Sequence, residues 1–347
     1  MRVVLDSRYP ADRYPGIARY VEVLAEGLAE LPGGPELTVL REGPAPPRSW
    51  AEQWRLPATA RRRAADLWHA PYLVFPYAVP LPVVVTVFDL IGTRVGAGTN
   101  RRAVASAVRL ALLRARLAVT TSRASAREIG RAFPALADKL RIVPGAVAAR
   151  FRPQPAAAVG ALIERLGLPR RYLLYVGTDR PHKNLGRLVS AVGRHRHASG
   201  DDILLAVAGA PQPPVAAEDD AAAVRFLGRV GDGDLPALYA GAELFVTASA
   251  QEGFGFPVLE AMACGTPVAC SDTPALVELT ADAAVRFPAS DAGAIAAAIA
   301  EALARRAELA RRGLARAAAY SPARTAALTA DVYTEALDRP SRRRYHP

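Results

Sequence analysis

Short aliphatic runs and amphipathic stretches alternate along almost the whole chain. In the first half, apolar runs of four to six residues fall at 2–5, 37–40, 66–69, 83–88, 117–121 and 140–143, lengths that suit strands. Between them the apolar positions recur every three or four residues. Over 16–31, Ile17, Tyr20, Val21, Leu24 and Leu28 share one helical face, and 103–116 and 122–133 behave similarly. The proline-bearing stretch VPGAVAARFRPQP at 143–155 interrupts the alternation and reads as a linker. A second series follows, with strands predicted at 172–176, 203–208, 224–227, 244–247 and 267–269 and helices at 185–194, 234–240, 257–264 and 291–319. Stretches 156–168 and 322–337 are predicted helices that cross between the two halves, and 339–347 is a basic tail expected to be loose.

Strands that alternate with helices imply parallel sheets covered on both faces, an α/β fold of the doubly wound kind. A single core stops growing at about 250–300 residues, and this chain has 347. The expected organisation is two Rossmann-like domains, 1–155 and 156–320, with 321–347 a helix returning toward the first, followed by the basic tail. Ligands of open α/β sheets sit at the carboxyl ends of the strands, so the expected site is a cleft lined by both domains.

Composition narrows the function classes. The opening MRVVLDSRYP turns polar at Asp6 and lacks the apolar core of a signal peptide. The longest apolar run, 78–88, holds Pro80 and Pro82 and falls short of the roughly 18–20 residues that span a membrane. A cytoplasmic protein is the expectation. Cys264 and Cys270 show neither a disulfide framework nor zinc spacing and are expected to be small buried apolar residues. The net charge is +11, and of 44 basic residues only Lys139 and Lys183 are lysine. Such a charge attracts anionic partners such as nucleotide phosphates or lipid head groups. Arg61–Arg63, Arg101, Arg102, Arg109, Arg114 and Arg116 are read either as solvated helix faces or as a basic face toward an anionic membrane. No aromatic-interleaved basic patch or zinc-finger spacing points to nucleic acid.

The chemistry concentrates in SAQEGFGFPVLEAMACGTPVACSD, residues 249–272. Gly253 and Gly255 flank Phe254 in a turn, Pro257 suits a first helical turn, and Gly265 suits a helix end. Backbone N–H groups at such a helix start form an anion site. Glu252 precedes the turn and Glu260 lies within the first turns of the helix. A carboxylate beside a phosphate site is explained if it accepts hydrogen bonds from hydroxyls, and a nucleotide sugar carries hydroxyls on both flanks of its diphosphate. The residues alone fit equally well two glutamates that favour the helix dipole beside an ordinary glycine turn. Lys183 follows a strand and the turn 177–182 and precedes a helix opened by Asn184, where an ammonium group can reach a phosphate. Asp232-Gly233-Asp234 is read as a helix start with Asp234 as N-cap, not as a metal site. His195 and His197 diverge on a helix, the histidines form no metal cluster, and no G-x-G-x-x-G follows a strand, which argues against a nicotinamide cofactor.

Four segments in order, DSRYPADRYPGIARYVEVLAEGL, LLYVGTDRPHKNLGRLVSAV, FLGRVGDGDLPALYAGAELFVTAS and EGFGFPVLEAMACGTPV, resemble the large retaining glycosyltransferase family four. That family has the GT-B fold, two Rossmann-like domains facing a cleft, and a glutamate–seven residues–glutamate motif. The resemblance covers nearly the whole chain and implies a metal-independent transfer from a nucleotide-diphosphate sugar, without further cofactor, to a glycan or carrier-linked acceptor, with mannosyl as first expectation. It implies that Lys183 contacts the diphosphate, Glu260 the ribose and Glu252 the transferred sugar. Gly253, Phe254, Gly255 and Phe256 would line the donor, Gly16 would let its loop approach closely, and Arg180 would be a second cation. Three departures stand out. The family's usual His-Asp is Phe88-Asp89 here, which leaves Asp89 as an acceptor or sugar contact and removes a hydrogen bond to the sugar. Gly145-Ala146 stands where Asn-Gly is common, and Thr280-Ala281 where a glycine is common before Asp282. A nucleotide-sugar-binding protein without activity, a phosphorylase and a nucleotide-sugar epimerase are the rival classes.

Overall fold

The computed structural model describes residues 1–8, 15–43, 45, 49–62, 64–94, 98–209 and 223–339. Arg63, the beginning of the N-terminal motif from Tyr9 to Tyr14, and the tail from 340 onward lie outside them. The chain divides into two compact units, Met1–Ala146 with Ser321–Pro347, and Val147–Tyr320.

The first unit is built on a six-stranded parallel sheet in the order β2-β1-β3-β4-β5-β6. Its strands are β1 (Arg2–Asp6), β2 (Glu36–Leu40), β3 (Leu67–Ala70), β4 (Val83–Thr86), β5 (Leu117–Thr120) and β6 (Leu140–Ile142). All four residues of β3, β4 and β5 are buried, because a central parallel strand is covered on both faces. Helix Pro15–Glu30 packs on helix Pro322–Asp338. At Gly27 a Cβ would lie 2.6 Å from the carbonyl oxygen of Pro322, so glycine is what lets the two helices approach. Inside this unit His69 bridges Tyr333 Oη (2.7 Å) and Thr86 Oγ1 (2.8 Å), and Tyr20 Oη reaches the same threonine at 3.2 Å. Helix Trp50–Arg62, hidden in the sequence by its polar composition and Pro57, carries Glu52 into a buried cluster with Arg8 and Asp6.

The arginines read either as solvated helix faces or as one basic face divide. Arg61, Arg62, Arg101, Arg102 and Arg109 are exposed. Arg114 instead donates to the carbonyls of Tyr77, Val79 and Leu81, and Arg116 to those of Ala336 and Arg339. Arg114 thus ties down the loop before β4, and Arg116 the end of helix Pro322–Asp338. No helix among the described residues is long and apolar enough to cross a membrane.

The second unit has its own six-stranded parallel sheet in the order β12-β11-β10-β7-β8-β9. The strands are β7 (Tyr172–Val176), β8 (Leu204–Ala208), β9 (Val224–Gly228), β10 (Leu244–Thr247), β11 (Val268–Ser271) and β12 (Val285–Phe287). The order runs outward from a switch point between β7 and β10, the place where open α/β sheets bind their ligands at the carboxyl ends. Helices Leu185–Ser199 and Ala292–Ala304 pack together beside the core of Leu173, Leu188, Val192, Leu205, Val246 and Ile295. The helix expected over 291–319 is two, Ala292–Ala304 and Arg306–Ala317. The backbone leaves the helical region at Arg305, whose guanidinium holds both Glu301 and Glu308. Asp234 stands at the N-cap of helix Leu235–Ala240 without a capping hydrogen bond: its backbone is helical (φ −88°, ψ −25°) where a capping residue is extended, and its carboxylate pairs with Arg165 at 2.6 Å. Both cysteines are free and buried, and burial pushes each thiol up to about 12.

Candidate active site

The site grows from two loops that leave adjacent strands at the switch point. After β7 the chain makes a 3-10 turn, Pro181–Lys183, and then enters helix Leu185–Ser199 through Asn184. Asn184 adopts a left-handed conformation (φ 58°), which a short polar side chain tolerates better than most. Its Nδ2 donates to the carbonyls of Ala289 (2.6 Å) and Ala248 (3.2 Å), fastening the turn to the ends of β12 and β10. The second loop is joined to the first by the backbone, Ala250 N–H donating to the carbonyl of His182 at 2.7 Å.

This bracing brings Lys183 and Glu252 together. Lys183 Nζ lies 2.7 Å from Glu252 Oε1, with side chains 19% and 12% exposed, so the pair is withdrawn from bulk water but can still be reached. Burial and the neighbouring ammonium of Lys183 hold the His182 imidazole below its usual range, so it is neutral at pH 7.

Beyond Glu252 the chain turns through Gly253, Phe254 and Gly255, all buried, into helix Phe256–Ala263. Gly255 has φ 105°, and a Cβ there would meet Leu276 Cδ2 at 2.5 Å, so both backbone and packing call for glycine. Pro257 occupies the first turn, and Gly255 offers no side-chain cap to the first amides. The Phe254 ring packs tilted against Phe256 (centroids 5.0 Å apart) and edge-on against Tyr320 (5.8 Å), which anchors the turn. Glu260, 3% exposed, accepts a hydrogen bond from Tyr239 Oη at 2.8 Å through Oε2. Tyr239 was not singled out in the sequence, since it lies 21 residues away and only the fold makes it a partner. Arg180, exposed, supplies the residue before the 3-10 turn.

Gly16 and Asp89 belong to the first unit. A Cβ on Gly16 would meet nothing within 4 Å, so packing of that unit does not require glycine there. Asp89 Oδ1 accepts from the N–H of Ile91 at 2.9 Å and opens helix Ile91–Arg94. Phe88 packs edge-on against Tyr20, ring centroids 5.1 Å apart.

Several buried polar atoms at this end of the second sheet have no partner: His182 Nδ1, Gln251 Oε1 and Thr273 Oγ1. They follow β7, β10 and β11. Buried polar groups are normally satisfied, so three unpartnered atoms just beyond the carboxyl ends of neighbouring strands stand out.

The architecture is that of the GT-B glycosyltransferases, two α/β units each with a parallel six-stranded sheet. It superposes on the sucrose-phosphate synthase of Thermosynechococcus elongatus with a TM-score of 0.74 at 20% identity, covering 96% of this chain and 98% of that one. Anabaena HepE in complex with UDP-glucose gives a TM-score of 0.71 at 19% identity, covering 96% and 100%. Residues 163–319, within the second unit, match the family model described as glycosyl transferases group 1. The chain is 36% identical over 204 residues to the O-antigen chain mannosyltransferase B of Escherichia coli, 54% of this chain and 52% of that protein. It spans about half the length of the curated relatives it matches.

Proposed function

We propose that the protein is a retaining hexosyltransferase, mannosyl first, that takes its sugar from a nucleotide-diphosphate donor and passes it to a glycan or carrier-linked acceptor. The observation that carries this reading is the Lys183–Glu252 pair, 2.7 Å apart beside the turn that opens helix Phe256–Ala263. An ammonium group has three donors, so Lys183 can hold Glu252 and still meet a diphosphate oxygen. The uncapped amides at the helix start add a second source of positive potential for the leaving group.

In this account Glu252 accepts from hydroxyls of the transferred sugar and Glu260 from those of the ribose. A carboxylate has about four acceptor sites, so Tyr239 orients Glu260 without exhausting it. The bond from the anomeric carbon to the phosphate oxygen breaks, and a bond to the acceptor oxygen forms on the same face. The acceptor proton passes to the departing phosphate. Lys183 and the amides stabilise the charge that develops there, the role a metal ion plays in other transferases. Asp89 is the proposed contact to an acceptor or sugar hydroxyl, and Gly16 admits the donor or acceptor where a side chain would stand in the way. Exposed Arg101, Arg102 and Arg109, beside exposed Leu110 and Leu113, are the surface proposed to rest on an anionic membrane.

The test is product analysis with GDP-, UDP- and dTDP-sugars. The expected product has the donor's anomeric configuration by NMR, and its rate is unchanged by EDTA. An inverted product, or loss of turnover on chelation that magnesium restores, contradicts the proposal.

A further inference from the structure

A cavity of about 360 Å³ opens within the second unit at the ends of β10, β11 and β12. It is lined by Ala250, Asp272, Thr273, Pro288 and Ala289, with Arg187 reaching in from helix Leu185–Ser199. Its volume lies in the range of small-molecule sites, about 300–1,000 Å³. Glu252 is only two residues beyond Ala250, so the cavity adjoins the candidate donor site along the chain.

Three features show what it is built to hold. Thr273 is the residue before helix Pro274–Thr280, where a threonine hydroxyl ordinarily caps the first amides. Here it makes no capping bond, is 8% exposed, and its Oγ1 has no partner. Asp272 stands exposed at the rim, its backbone N–H fixed by the carbonyl of Phe287 at 2.9 Å. Arg187 is exposed and positioned by Asn184 Oδ1 at 2.9 Å. One carboxylate, one guanidinium and the hydroxyls of Thr273 and Ser290 around prolines and alanines give a site with no net charge, polar groups for hydroxyls and apolar surface for C–H faces. That combination suits neither a phosphate, which Asp272 would repel, nor a purely apolar ligand.

We infer that this cavity is a subsite for a neutral hexose ring of the glycan, with Asp272 accepting from ring hydroxyls, Arg187 donating to them, and Thr273 Oγ1 bonding one of them. The choice of a glycan as occupant rests on the transferase reading above; the unpartnered hydroxyl and the cavity do not depend on it.

The experiment measures binding of methyl α-mannopyranoside and an α-mannobioside to the full chain by saturation-transfer NMR, with GDP and UDP titrated in parallel. The expected result is saturable glycoside binding that weakens at least tenfold in Asp272→Ala and in Thr273→Val, while Lys183→Ala changes it less than twofold. The nucleotide that binds should keep its affinity in Asp272→Ala and lose it in Lys183→Ala. Failure of nucleotide binding to respond to Lys183→Ala overturns the donor site and leaves the cavity standing. Glycoside affinity equal in wild type and both cavity variants, or absence of saturable glycoside binding, overturns the cavity assignment. Matching thermal melts of Asp272→Ala and wild type exclude unfolding as the cause.

Discussion

Lys183 was legible as a residue because it is one of two lysines in an arginine-rich chain and stands between a strand and a helix. Its partner was not. Glu252 lies 69 positions away, and only the parallel register of β7 and β10 brings the two turns side by side. The family resemblance implies separate ligands for the two side chains, and the structure sets them 2.7 Å apart. Ala281 teaches a second lesson at this scale. It stands where the resemblance implies a glycine, and the backbone shows why: φ is 49° and ψ is −109°, a conformation that costs a residue with a Cβ on the order of 1–3 kcal/mol. Ala281→Gly should therefore stabilise the second unit by about 1 kcal/mol, read as a higher denaturation midpoint in urea. Gly255 is the mirror case. With φ 105° and Leu276 in the way, Gly255→Ala should destabilise by about 1–3 kcal/mol and disturb the turn that carries Glu252. A variant that melts like wild type would contradict that account of the turn.

Most strands could be read directly, since buried parallel strands are continuous aliphatic runs. Strand β12 could not, because it is three residues long and carries exposed Arg286. Helix Trp50–Arg62 is hidden for a related reason: its large apolar residues Trp50 and Trp54 are exposed rather than on the buried face, and Pro57 interrupts the pattern. The element-scale prediction concerns the helix Pro322–Asp338, which is locked into the first unit through Tyr333 and His69. Burial lowers the imidazole of His69 to about 3, from 6.5 when unfolded. The unfolded chain thus binds the extra proton first, so stability is full above pH 6.5 and falls as pH drops toward 3. The slope is about 1.4 kcal/mol per pH unit, or about 2 kcal/mol by pH 5. Urea denaturation at pH 7 and pH 5 should show this loss, and His69→Gln should reduce it. Tyr333→Phe leaves His69 Nδ1 unpaired and should cost about 1–3 kcal/mol at pH 7. Identical pH profiles for wild type and His69→Gln would remove the histidine from the explanation.

At the scale of the whole molecule, the repeated strand–helix pattern carried the fold class, because periodicity and length are enough to demand two parallel sheets. The strand order, and with it the switch point between β7 and β10, came only from the structure. So did the buried orphans His182 Nδ1, Gln251 Oε1 and Thr273 Oγ1, since no pattern in one dimension reports an unpaired atom. Those features place the positive group, the acidic group and the open helix start at one end of one sheet, and the account of function stands on that convergence. Its most direct test is calorimetric titration of GDP, UDP and dTDP into wild type, Lys183→Ala and Glu252→Ala. The account predicts that the nucleoside diphosphate the wild type binds loses at least tenfold in affinity in Lys183→Ala. Glu252→Ala should leave diphosphate binding within a few-fold while turnover falls by about a hundredfold, roughly 3 kcal/mol of barrier. Undiminished nucleotide affinity in Lys183→Ala would contradict it.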